Sequence, residues 1–292
     1  LQVNATTNGI GIVTNGSVGI GTAAPAYNLD VDGKTAAFNS GQDGSLTAFT
    51  ATTPIPAARY LPTAAVANGY MYVLGGALGS GGSPNSPLST IYYAKINVDG
   101  TVGAWTTSAT TMPAARYGHT TVVANGYIYV IGGFHGSNAA DNVYSAPLNA
   151  NGTLGSWSSL NDMIYVTNRH TSVVANGYLY VIGGAIYEWG DPGYYGPNGA
   201  YRSKTIYYAA LNKDGTIGAW QTNAITMPFK RTQHTSVVAN GYLYVMGGLD
   251  DGNSAVDTVW SAPLNANGSV GSWNQDLNVI PEVRSQATAV VA

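Results

Sequence analysis

The sequence predicts an all-β chain folded as a β-propeller, and three observations carry that prediction. First, Val-Val-Ala-Asn-Gly-Tyr-x-Tyr-Val-x-Gly-Gly stands at 122–133, 173–184 and 237–248, with a close copy at 65–76 that opens on Ala. Second, each copy leads through a Tyr- or Trp-bearing segment to an Asn-Gly or Asp-Gly pair and then to Gly-x-Trp. Third, the spacing is periodic: Asn125 follows Asn68 by 57 residues, Asn176 follows after 51 and Asn240 after 64. A repeat of this length marks a supersecondary unit that buries its faces against neighbouring copies.

Each unit resolves into four short strands. The first, 120–124 in the best-defined copy, is apolar and ends at Asn125-Gly126. Asn-Gly is the strongest two-residue hairpin signal, because a type I′ turn needs positive φ at both central positions. The second strand, 127–131, alternates aromatic and aliphatic residues and stops at Gly132-Gly133. A variable loop precedes the third strand, 143–148, and Asn151-Gly152 turns the chain into a fourth that carries Trp157. The first turn recurs at Asn68-Gly69, Asn176-Gly177 and Asn240-Gly241, and the second at Asp99-Gly100, Asp214-Gly215 and Asn267-Gly268. Four antiparallel strands at such a period make a propeller blade.

Composition narrows the function. The chain has 292 residues, 45% hydrophobic, with 9% charged against roughly 25% in an average domain. A net charge of -3 without a Lys/Arg cluster argues against nucleic acid, which needs a basic stripe. With no Cys, disulfides, thiolate metal sites and Cys nucleophiles are excluded. No apolar run reaches the roughly 18 residues of a membrane span, so membrane insertion is not expected. Starting at Leu1 and stopping within a repeat, the sequence reads as a piece of something longer.

The spaced features resemble Kelch repeats: a Gly-Gly doublet closing the second strand, an aromatic in the third, Trp in the fourth, and an Arg three residues before a His, as in Arg116 with His119 and Arg231 with His234. The resemblance runs from about Thr35 to Ala292 and implies a Kelch-type β-propeller over 34–292. Four blades read as complete. A fifth reads as split, with 35–49 supplying its last two strands and 281–292 its first, Arg284 being in register with Arg116. Joining the ends would protect the edge strands; a larger ring truncated at both ends is the rival. The segment 1–33 contains Ser-Val-Gly-Ile-Gly-Thr-Ala-Ala-Pro at 17–25 and resembles stalk sequences of phage tail fibres and bacterial adhesins, which implies a β-rich shaft and a homotrimer. The competing reading places 17–22 in the split blade.

Most chemistry-bearing residues recur in the repeat and read as scaffold. Arg59, Arg116, Arg231 and Arg284 precede the innermost strands, where a channel-mouth ring could bind an acidic ligand. Their repetition favours backbone hydrogen bonding instead, and Thr167 breaks the ring. His119, His170 and His234 share one position; without Cys, and with Glu188 and Glu282 as the sole glutamates, they read as structural rather than as a metal site. Trp105, Trp157, Trp220 and Trp273 read as core residues wedged between blades. Asp99 and Asp214 interchange with Asn151 and Asn267, which argues against calcium. The Asn-Gly-Ser/Thr sequons at Asn15, Asn151 and Asn267 are turns before they are glycan acceptors.

Function is expected where the period breaks. The insertion at 185–204 holds Tyr187, Glu188, Trp189, Asp191, Tyr194, Tyr195, Tyr201 and Arg202. Aromatic platforms beside a carboxylate and an Arg suit sugar stacking or a protein hot spot. Equivalent loops offer Phe134 and His135 in one blade and Asp250 and Asp251 in another, while 78–89 is rich in Gly, Ser and Pro. The expectation is therefore a non-catalytic binding module without cofactor, extracellular, on a cell surface or on a virion, that recognises glycans or a surface protein. A structural knob or spacer of a filament or cell-surface layer is the alternative. An enzyme is less favoured: copper radical oxidases of related propeller type need a Cys cross-linked to Tyr, and a glycosidase needs a carboxylate pair that the scattered Asp residues do not obviously supply.

Overall fold

The computed structural model describes residues 10–12, 18–20, 29–31, 51–78, 86–135, 138–187 and 201–291. The chain divides into two compact units, Leu1–Ala51 and Thr52–Ala292. In the first, Ile10–Ile12 pairs antiparallel with Val18–Ile20, which pairs parallel with Leu29–Val31. The described residues contain no helix, and so none that could cross a membrane.

The second unit holds four four-stranded antiparallel sheets, each in sequential order. Their innermost strands are Thr63–Ala67, Thr120–Ala124, Thr171–Ala175 and Thr235–Ala239. The second strands are Tyr70–Leu74, Tyr127–Ile131, Tyr178–Ile182 and Tyr242–Met246. The third are Ile91–Lys95, Val143–Pro147, Ile206–Ala210 and Val259–Pro263. Two-residue outer strands complete the blades, and Trp157 stands just ahead of its strand at Ser158–Ser159.

The two turns of each blade work differently. Asn125 and Gly126 have φ of 51° and 80°, the type I′ signature, and the other Asn-Gly pairs match them. In the second turn only the glycine is left-handed, as at Gly152 with φ 83°. There the preceding Asn or Asp accepts from the backbone two residues on: Thr153 N donates to Asn151 Oδ1 at 3.1 Å and Thr101 N to Asp99 Oδ1 at 3.0 Å. Either side chain offers that oxygen, so Asp and Asn interchange.

Blades pack face to face through three apolar layers. Tyr72, Leu74 and Ile91 of the first meet Ile128, Val130 and Ala146 of the second. Ile131 and Val143 then meet Leu179 and Val181, and Ile182 and Ile206 meet Leu243 and Val245. The two middle sheets are covered on both faces, so their second strands, Tyr127–Ile131 and Tyr178–Ile182, are buried at successive positions, whereas Tyr242–Met246 of the last sheet alternates. The tryptophans are half-buried at the rim of these layers, not in their centre, and Trp220 Nε1 donates to Asn161 O of the preceding connection at 3.0 Å. Trp105 Nε1 bonds Thr53 O in the same way, so the chain reaches the first blade as a connection from a preceding one would.

The Gly-Gly doublets lock neighbours together. The second glycine donates its N–H across the blade boundary: Gly76 to Arg116 O at 2.9 Å, Gly133 to Thr167 O at 2.9 Å, Gly184 to Arg231 O at 2.9 Å and Gly248 to Arg284 O at 2.7 Å. The first glycine lies beneath the same segment. A Cβ on Gly132 would come within 2.7 Å of Thr167 O, 2.9 Å of Met163 Cε and 3.0 Å of His170 Cε1. Arg284 O thus accepts from Gly248 as Arg116 O, Thr167 O and Arg231 O accept at the other boundaries, although no strand forms at 281–291. The 35–49 half of the split blade lies outside the described residues.

Replacing Gly132 with Ala therefore combines a left-handed φ of 58° with collision against backbone, and should cost about 3 kcal/mol or more in urea unfolding. Gly126→Ala, with open space around its Cβ, should cost only about 1 kcal/mol. Equal losses would contradict the docking role of the doublet.

Candidate functional site

Just before each of the four innermost strands, one residue takes a left-handed conformation, Leu61 at φ 46°, Gly118 at 60°, Arg169 at 53° and Gln233 at 55°, and Gln286 at 58° takes the corresponding place in 281–291. Their backbones form a chain of hydrogen bonds round the ring. Gly118 N donates to Leu61 O at 3.2 Å, Arg169 N to Gly118 O at 3.1 Å, Gln233 N to Arg169 O at 3.0 Å and Gln286 N to Gln233 O at 2.9 Å. Outside glycine this conformation costs about 1–2 kcal/mol per residue.

The next residue in three of these blades is the repeated His, buried below the ring. His119 Nε2 lies 2.8 Å from Thr63 Oγ1, His170 Nε2 2.8 Å from Thr120 Oγ1 and His234 Nε2 2.9 Å from Thr171 Oγ1, each threonine belonging to the preceding blade. Each hydroxyl also meets a hydroxyl of the histidine's own blade: Thr121, Ser172 and Ser236. The Nδ1 atoms of His119 and His170 have no partner. An unsatisfied lone pair is less costly than an unsatisfied N–H, so in His119 and His170 we assign the proton to Nε2, which donates to the threonine. Burial, with nearby positive charge at His119 and His234, pushes all three imidazoles down to about 3. They are neutral interblade staples. Among the described residues, no group of three His, Asp or Glu is placed to hold a metal.

A cavity of about 160 Å³ opens over these histidines, walled by the five left-handed residues and Pro62. Arg169 is exposed there and makes no hydrogen bond or ion pair with a described side chain. Gln286 Nε2 donates to Gln233 Oε1 at 2.9 Å, and among the described residues no carboxylate joins the wall. A second hollow of about 400 Å³ lies between Phe229, Lys204, Lys230, Asp250 and Asp251.

The four arginines are placed by the scaffold. Arg116 is fully buried, with Nη1 donating to Gly132 O at 2.8 Å and its guanidinium 5.0 Å from the Tyr144 ring centroid. Arg231 bonds Gly247 O at 2.7 Å and Arg59 bonds Gly75 O at 2.6 Å, each over an aromatic ring. Each side chain binds the first glycine of its own doublet, while the backbone carbonyl of Arg116 and of Arg231 receives the second glycine of the preceding blade. Arg284 pairs with exposed Glu282 at 2.8 Å. None of the four lines the cavity at the ring. Thr167 fits their row because the docking group is the carbonyl, which any residue supplies.

The loops between second and third strands pair with the segments leading into the innermost strands: Ala77 with Tyr60, Phe134 with Tyr117, 185–187 with 166–168 and Leu249 with Thr232. They therefore rise at the same end as the cavity. Phe134 stacks on Tyr117 at 5.2 Å, and His135 is exposed. Arg202, at the base of the insertion, reaches the next blade, donating to Asp251 O at 2.8 Å and Asn253 Oδ1 at 2.7 Å. Asp250 caps its own turn through Ser254 N, and Asp251 pairs with Lys230 at 3.2 Å. Glu188, Trp189, Asp191, Tyr194 and Tyr195 lie outside the described residues, as do the side chains of Tyr187 and Tyr201.

The Kelch motif matches residues 115–145 and 230–261. The solved structure of YjhT is similar, with a TM-score of 0.59 at 17% identity over 80% of this chain and 69% of that one. The fold is a Kelch-type β-propeller. The two motif matches support a Kelch-repeat family, and the YjhT likeness, at that identity, speaks to fold alone. No curated protein matches the sequence. In this Kelch-type frame the repeated Arg and His positions are accounted for by blade docking, so the variable ring and the loops are what remain for recognition.

The left-handed ring and the methionines under the doublets, Met112, Met163 and Met227, went unread in the sequence. One signal was available: Leu61, Gly118, Arg169, Gln233 and Gln286 occupy the same repeat position with four residue types.

Since folding depresses the histidine pKa values, the unfolded chain binds more protons below its own value near 6.5. Stability from the three staples is full above about pH 6.5 and falls as pH drops towards 3, by up to about 4 kcal/mol per pH unit. Urea midpoints between pH 7.5 and 4.5 should show this loss, reduced in His170→Gln.

Proposed function

We propose that the chain is a non-catalytic binding module that recognises glycans or a surface protein through the loop-bearing end of its propeller. One observation carries this reading: the Arg and His side chains shared between repeats are consumed in bracing and joining blades, and what differs between repeats gathers at one end. There the stem of the aromatic insertion, Ala185–Tyr187, adjoins the ring, because it pairs with Val166–Asn168, which runs directly into Arg169. The Arg202 link to Asp251 and Asn253 ties that insertion to the neighbouring loop, giving recognition a continuous surface across two blades.

An extracellular, cell-surface or virion setting suits the low charge and the Gly-, Thr- and Asn-rich surface. The stalk-like N-terminal segment would present such a module as a trimer. Glycan arrays and polysaccharide pull-downs with the parent, Trp189→Ala and Tyr195→Ala test the reading. Loss of about 1–3 kcal/mol of binding per aromatic removed is expected, a weakening of about 5- to 160-fold. Retained binding in both variants would overturn the assignment of the insertion.

A further inference from the structure

We propose that the cavity over the buried histidines is a carboxylate-binding site, with Arg169 as its anion receptor and the Gln233–Gln286 amide pair as its polar wall. The described lining takes no residue from 185–204, and the site stands whether or not the loops bind glycan.

The backbone supplies the first argument. At the left-handed ring position glycine is tolerated without strain, as Gly118 demonstrates, yet Arg169, Gln233 and Gln286 hold long polar side chains there. Strain retained where a smaller residue would relieve it points to a use for the side chain. The mounting of Arg169 supplies the second. Its neighbours Asn168 and His170 are buried, with exposures of 1% and 4%, and its amide is fixed to Gly118 O. A rigid base beneath an unpaired guanidinium is a preorganised receptor.

The lining selects the ligand. Among the described residues of the wall, Arg169 is the one cationic side chain and no carboxylate competes for it. The histidines below are neutral, and the ring amides from Gly118 to Gln286 are already bonded to carbonyls. A phosphate dianion would find too few donors, whereas a planar carboxylate matches the two-pronged guanidinium. Leu61 and Pro62 give the wall an apolar part, and about 160 Å³ holds a group the size of one six-membered ring. The occupant is thus a monocarboxylate on a single ring, free or at the end of a larger ligand.

Calorimetric titration of the whole chain with benzoate and glucuronate, each against its neutral counterpart, benzamide or glucose, tests the site. At least one carboxylate should bind saturably and at least tenfold more tightly than its counterpart, more weakly as salt is raised. Arg169→Gly should abolish that binding without lowering the Tm, because glycine suits the φ of 53°. Trp189→Ala should leave it intact, which separates failure here from failure of the insertion to bind glycan. Neutral and charged partners binding alike, phosphate binding more tightly than both carboxylates, neither carboxylate binding, or Arg169→Gly binding as the parent does would each overturn the proposal.

Discussion

The hydrogen bond from the second glycine of each doublet to a carbonyl of the next blade is the contact on which the rest of the unit depends. It sets the distance between blades, and the apolar layers are matched to that distance. The first glycine has no Cβ, so the next segment's carbonyl, methionine methyl and imidazole can close to within about 3 Å of where a Cβ would stand. Once that segment is seated, the residue after it turns left-handed, the histidine drops beneath the ring, and its Nε2 reaches back to a threonine of the preceding blade. One backbone bond thus positions the innermost strands, the staples and the cavity wall.

The same contact explains what repeats and what varies. Arg116 and Arg231 serve two blades at once, their carbonyls docking to the blade before and their guanidinium groups bracing the doublet of their own. Thr167 keeps only the first function, and the segment Val166–Asn168 instead gains a strand pairing with the stem of the aromatic insertion. The blade that lacks the brace is therefore the blade that carries the insertion and Arg169. The other blades show no such departure from the repeat among the described residues.

Strands and hairpin turns were legible in the sequence because their signals are local: Asn-Gly at Asn125 and Gly126 demands the φ values observed, and the aromatic-aliphatic run 127–131 ends at the doublet. The roles of the arginines and tryptophans were less so, since a residue that binds its own blade and one that faces a channel give the same spacing. The left-handed ring was not legible at all. Leu, Arg and Gln give no hint of positive φ, and the conformation is imposed by the backbone bonds to neighbouring blades, which are tertiary. In that setting, difference among otherwise near-identical repeats was the better guide to function than repetition.

The most direct measurement of this account is amide hydrogen exchange, residue by residue, on the intact chain. The amides of Gly133 and Gly184 should exchange among the slowest in the molecule, opening only with separation of whole blades, while the turn amides of Gly126 and Gly177 exchange rapidly. Fast exchange at Gly133 and Gly184, comparable to the turn glycines, would contradict the claim that these bonds hold the blades in register.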